Sequence, residues 1–230
     1  EAFAAGMDLY FDRHDGTATT IEAFIACFAD ASGQNLAHFA RWYDQAGTPH
    51  VTATGHYDQQ ARTYRLDLQQ MTPPTPGQPV KEPMLIPLRI GLVGRDGDLA
   101  LHPETDLPMK GDVLMLDRAA GQALFRDIDE PPALSLLRGF SAPVRLDAQL
   151  GTVELLAMAQ RDSDAFNRWQ ALRTLMTREV SAAVLAIRAG KEPGFDPALV
   201  DAIGKALSGD GEHAYLAQLA TLPTASDIAR

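Results

Sequence analysis

The sequence predicts an α+β chain of several domains: a helical segment, an antiparallel β-sandwich, and a second, superhelix-like helical segment. Three observations predict it. Apolar residues recur at three- and four-residue spacing near the start, at two-residue spacing through the middle, and at helical spacing again over the last third. The period of the hydrophobic pattern follows the period of the backbone, because only one face of each element can be buried.

From Glu1 to about Gly47 the pattern is helical. Phe3, Met7, Tyr10 and Phe11 share one face of a first helix, with Glu1 expected inside it and Asp15-Gly16 stopping it. Thr19 and Glu22 have the spacing of a capping box, and Ile21, Phe24, Ile25 and Phe28 continue as an amphipathic stripe that Gly33 terminates. Phe39, Trp42 and Tyr43 mark a third helix that ends before Thr48-Pro49.

From about Thr48 to Ala148 the period becomes two. Leu66 and Leu68 alternate with Arg65, Asp67 and Gln69, and Ile86, Leu88, Ile90 and Leu92 alternate with Pro87, Arg89 and Gly91. Asp96-Gly97 has the composition of a tight hairpin turn. Val113–Leu116 and Ala123–Phe125 flank Ala119-Ala120-Gly121 as a second hairpin candidate, and Val144 and Leu146 close the series. Short strands between turn signals indicate a sandwich rather than a parallel sheet. The run Pro73-Pro74-Thr75-Pro76-Gly77-Gln78-Pro79 lacks ladder donors, so it is a loop or an edge.

From about Gly151 the pattern is helical again. Asp162 or Ser163 is positioned to cap a long helix bearing Phe166, Trp169, Leu172, Met176, Val180, Val184 and Ile187, ended by Gly190 and Pro193. Asp196-Pro197 opens another helix through Leu199, Val200, Ile203 and Leu207. Ser208-Gly209-Asp210-Gly211 breaks it, Tyr215, Leu216 and Leu219 continue, and Asp227-Ile228-Ala229-Arg230 opens a further helix. Stacked helix pairs of this kind suggest an α-solenoid.

Composition excludes several function classes. The 230 residues are 46% hydrophobic and carry a net charge of −10, so no nucleic-acid partner is expected. No apolar stretch is long enough to span a bilayer. The single cysteine, Cys27, precludes an internal disulfide and reads as a small buried hydrophobe, consistent with a reducing, cytoplasmic location. A chain that opens on Glu1 inside a helix reads as an excerpt of a longer one.

The search for chemistry finds no self-sufficient active site. A zinc hydrolase needs converging ligands, such as two histidines one helical turn apart with a nearby carboxylate. His14, His38, His50, His56, His102 and His213 show no such spacing, and none precedes a glutamate. His50 and His56 flank one strand without an evident third ligand. His14-Asp15 lacks a nucleophilic serine and reads as a helix end. Ser208-Gly209-Asp210-Gly211-Glu212 lacks the ordered oxygen series of a calcium loop, and Trp42, Tyr43 and Trp169 read as packing anchors. The catalytic, metal and cofactor-binding residue sets expected in this chain are therefore all empty.

Several motifs, taken in order, resemble the gluzincin-type zinc aminopeptidases: Gly6-Met7-Asp8-Leu9-Tyr10-Phe11-Asp12-Arg13-His14-Asp15-Gly16, then Phe39-Ala40-Arg41-Trp42-Tyr43-Asp44-Gln45-Ala46-Gly47-Thr48-Pro49. Leu136-Leu137-Arg138-Gly139-Phe140-Ser141-Ala142-Pro143-Val144, Asp164-Ala165-Phe166-Asn167-Arg168-Trp169 and Thr221-Leu222-Pro223-Thr224 extend the resemblance. It implies residues 1–47 as closing helices of a thermolysin-like zinc domain, 48–148 as an immunoglobulin-like sandwich and 149–230 as the opening of a helical superhelix. The family's H-E-x-x-H helix, its downstream glutamate and its G-x-M-E-N strand have no counterpart here. The resemblance thus implies a non-catalytic structural segment of an enzyme that removes N-terminal amino acids from peptides. Its zinc would lie elsewhere in the polypeptide, and its partners would be the parent's other domains and peptide substrates. The alternative is an independent sandwich module that binds a peptide or protein. Phe3, Tyr10, Phe11 and Phe24 are the expected exposed apolar patch.

Overall fold

The structure, a computed structural model, describes residues 1–208 and 212–228. The expected helix break at Gly209-Asp210-Gly211, the calcium-loop likeness across it and the terminal Ala229-Arg230 lie outside the described residues.

Helix α1 (Ala2–His14) packs antiparallel-fashion beside α2 (Ile21–Ser32), followed by the short α3 (Ala37–Asp44). Glu1 occupies the N-cap position of α1 rather than its interior. The cap of α2 is Thr20, whose hydroxyl accepts from the Ala23 N–H at 3.3 Å. The Thr19–Glu22 spacing misplaced that cap by one residue, because Thr20 supplies the same geometry one position later. Cys27 is fully buried against α1. Tyr10 and Phe24 are half-buried and meet edge to face, so they do not form the exposed patch, whereas Phe3 and Phe11 remain 70% and 53% exposed.

The sandwich begins with β1 (His50–Asp58) and β2 (Thr63–Met71), paired antiparallel. Then come β3 (Ile86–Gly94), β4 (Gly97–Asp98), β5 (Pro103–Thr105), β6 (Met109–Lys110), β7 (Val113–Leu116), β8 (Ala120–Phe125), β9 (Ala133–Leu136) and β10 (Arg145–Ala148). One sheet has the order β10-β1-β2-β8-β5; the other is β4-β3-β7-β6 with β9 also on β3. Among the described residues all pairs are antiparallel except β1–β10, which runs parallel and aligns His50 with Arg145 and Ala53 with Ala148.

The alternating residues meet between the sheets. Val51, Leu66, Leu68, Ala123 and Phe125 from one sheet face Ile86, Leu88, Ile90, Leu92, Leu114 and Leu116 from the other, all buried. Two turn expectations need correction. The β3–β4 turn pairs Gly94 with Gly97, so its loop residues are Arg95 and Asp96, and only Gly97 takes positive φ, at 116°. The segment Ala119-Ala120-Gly121 is no hairpin: β7 pairs in one sheet and β8 in the other, so the chain crosses the sandwich there. Gln70 marks the crossing. Its Nε2 donates to the carbonyls of Met84, Leu116 and Arg118 at 2.8–3.1 Å, and its Oε1 accepts from Met84 N–H. The proline run is a loop tied to α3, with Gln78 donating to Asp44 O and accepting from Ala46 N–H.

Helices α4 (Thr152–Arg161) and α5 (Ala165–Arg188) follow, then α6 (Pro197–Leu207), α7 (His213–Ala220) and α8 (Ala225–Ile228). The cap of α5 is Asp164, not Asp162 or Ser163; it accepts from Asn167 N–H at 2.9 Å, while Asp162 closes α4. The apolar stripe of α5 is buried only in part. Leu172 and Met176 enter a core with Leu155, Met158, Leu199 and Leu219, whereas Val184 and Ile187 lie on the surface, Ile187 being 61% exposed. Val93 and Ala133 of the sandwich belong to this same core. The fold is the expected α+β order of helices, Ig-like sandwich and helical array.

Candidate functional site

The six histidines do not converge. His14 ends α1 with its ring against Tyr10, His38 bonds the Pro83 carbonyl at 2.9 Å, and His213 opens α7. His50 and His56 sit six residues apart on one extended strand, about 20 Å along it, so they cannot share an ion. His56 instead lies 3.6 Å from Asp67 on the exposed sheet face. Among the described residues no group of three or more histidines, cysteines or carboxylates could hold a metal. The described residues therefore offer no set of ligands that fits a zinc ion. Trp42 is a packing anchor that donates to Leu85 O at 2.9 Å, and Trp169 packs on the helical core. Tyr43 is half-exposed and anchors nothing comparable.

The most specialised chemistry lies at the joint between sandwich and helices, around Arg138. The backbone there is forced into shape: Leu137, Gly139 and Phe140 all have φ between 56° and 61°. This left-handed run costs energy at the two non-glycine positions, and it turns Arg138 inward, leaving 9% of its side chain exposed. The guanidinium makes a two-pronged bond to Asp98, at 2.7 and 2.8 Å, on β4. It also pairs with Asp162 at 2.8 Å and donates to Ser135 Oγ at 2.8 Å. Gly91 leaves the room it occupies, since a Cβ there would stand 2.0 Å from the Arg138 Cζ.

The cluster stitches separate elements together. Ser163 donates to Asp98 at 2.6 Å, and Asn167 donates to Ser135 Oγ and to Leu136 O, both at 2.9 Å. Asp164 caps α5 and accepts from Gly139 N–H at 2.8 Å. Outside, Phe140 packs against Phe166 with ring centres 4.6 Å apart and the rings tilted by 52°. Arg138 holds the Asp98 carboxyl below the usual range, mainly through their direct hydrogen bond. Asp162, whose side chain is 0% exposed, is pushed up by burial more than Ser135, the Asp164 N–H and Arg138 pull it down. One of its oxygens, Oδ2, has no partner among the described residues. Such an arrangement fixes the orientation of the elements that contribute to it. The sequence held one signal for it, an arginine inside the apolar run Leu134 to Phe140; its partners Asp98 and Asp162 are 40 and 24 residues away and carry no local mark.

Comparison with known proteins agrees with this architecture. A family model described as "Domain of unknown function (DUF3458) Ig-like fold" matches residues 47–149, and one described as "Domain of unknown function (DUF3458_C) ARM repeats" matches residues 152–230. Aminopeptidase N of Caulobacter vibrioides is 45% identical over 99% of this chain, and that of Escherichia coli is 33% identical over all of it. A crystal structure of Legionella pneumophila aminopeptidase A in complex with aspartic acid covers 99% of the chain with a TM-score of 0.78 and 26% identity. The chain spans about a quarter of the length of each of these relatives.

Proposed function

We propose that this chain, whose residues 47–149 match the DUF3458 Ig-like model and residues 152–230 the DUF3458_C ARM-repeat model, is the architectural, non-catalytic middle of a zinc aminopeptidase. The observation that carries this reading is the Arg138 cluster, a buried, many-membered ionic joint that makes sandwich and helices one body. In this reading residues 1–47 close the zinc domain, 48–148 form the spacer and 149–230 begin the helical wall of the substrate chamber. The parent removes N-terminal amino acids from peptides, in the cytoplasm, with zinc polarising the scissile carbonyl. Its zinc ligands are residues other than those described here. A spacer serves this chemistry by fixing the distance between the two walls that enclose the substrate.

The test is an assay of the 230-residue chain with zinc on an aminoacyl anilide. No hydrolysis above buffer is expected. Turnover that co-elutes with the chain and disappears with a chelator overturns the reading.

A further inference from the structure

We propose that the groove between β10 and α5 binds the free C-terminal end of a short extended peptide, which adds to β10 as a parallel strand. The proposal does not rest on the aminopeptidase parentage. β10 ends its sheet, with β1 on one side and no strand on the other among the described residues. Arg145 N–H bonds Pro49 O at 2.9 Å, which places residues 145 and 147 in the ladder with β1. The alternation of a parallel ladder then turns the N–H and C=O of Leu146, and the N–H of Ala148, away from β1. Both residues line a cleft of about 210 Å³ whose far wall is α5.

Each part of this cleft suits one part of an extended peptide. The free edge offers main-chain hydrogen bonds, as in other strand-addition sites. Leu136, Leu155 and Met158 on the lining provide an apolar floor for one side chain. Thr174 and Arg178, one helical turn apart on α5, form the polar wall. Arg178 donates to Leu150 O at 3.1 Å, which fixes the guanidinium just past the C-terminal end of β10. It makes no ion pair with a carboxylate among the described residues. A peptide parallel to β10 ends at that point, with its carboxylate opposite Arg178, which sets the strand direction.

The test is a titration of the isotope-labelled chain with acetyl-Ala-Leu-Ala, followed by amide NMR. Saturable shifts are expected at Leu146 and Ala148 and on α5 near Thr174 and Arg178. The C-terminal amide of the peptide should bind about two- to fivefold more weakly. Arg178→Ala, a change at an exposed position, should impose the same loss on the acid and none on the amide. A peptide N-methylated at leucine, which cannot donate to the edge, should not bind. Absence of saturation up to about 10 mM, equal binding of the N-methyl peptide, equal binding of acid and amide, or shifts confined elsewhere overturns the proposal.

Discussion

Arg138→Met tests the joint directly, because methionine keeps much of the apolar stem while removing the charge. Two carboxylates then lose their cation, with unequal consequences. The Asp98 side chain is 34% exposed and keeps its bond from Ser163, so it can turn toward water. The Asp162 side chain is fully buried and has no such exit. Withdrawing one partner of a buried ion pair costs about 3–5 kcal/mol, or roughly 6–20 °C in Tm for a chain of this size. Urea unfolding read separately at Trp42 and Trp169, through the corresponding Trp→Phe variants, locates the damage. The two probes should report one transition in the parent chain. In Arg138→Met the Trp169 transition should move to lower urea than that of Trp42. Adding Asp162→Leu should recover most of the loss, since the stranded charge is then gone. The deficit should also narrow in acid. A carboxyl with a raised folded pKa contributes stability that is present below its unfolded value, about 3.9, and lost as pH rises through the folded one. Burial already raises Asp162, and losing Arg138 raises it further. A cost under about 1 kcal/mol, or no recovery in the double variant, refutes the argument.

Three further outcomes follow from the same geometry. Gly91→Ala should resemble Arg138→Met in the two-probe urea experiment, because its Cβ would displace a guanidinium whose Cζ lies 2.0 Å away. Gln70→Leu should cost about 2–4 kcal/mol by urea midpoint, since it leaves the polar backbone of Met84, Leu116 and Arg118 without its partner. Asp98→Asn should show its largest deficit at neutral pH. A depressed carboxyl contributes stability above its unfolded pKa and loses it as pH falls through the folded value, so the gap between the thermal melts of variant and parent should begin to narrow below about pH 3.9 and close only once the pH is below the depressed folded value.

What the sequence made legible was periodic and local. The two-residue alternation of Ile86 to Leu92 names a buried face, and the structure buries it, whereas the stripe Ile21 to Phe28 names a helix face that is only partly covered, Ile21 being 49% exposed. Caps were less legible. Threonine stands at both 19 and 20, and aspartate at both 162 and 164, and the choice within each pair depends on the path of the preceding chain. The crossing at Ala119-Ala120-Gly121 was read as a hairpin because turn composition is the same whether the next strand joins its neighbour or the opposite sheet. The α5 stripe shows a further limit: its spacing marks one helix face, but spacing alone does not show how much of that face is covered. Least legible was the joint: Asp98, Arg138 and Asp162 come from three distant elements, and only tertiary packing assembles them.

The one parallel pair among the described residues, β1 with β10, has a mechanical meaning. The chain enters the sandwich at the start of β1 and leaves it at the end of β10, and these points lie at opposite ends of one four-rung ladder. Tension between the two helical flanks therefore loads that ladder in shear, so its rungs must fail together rather than peel one at a time. The sandwich can in this way transmit a pull from one flank to the other without stretching.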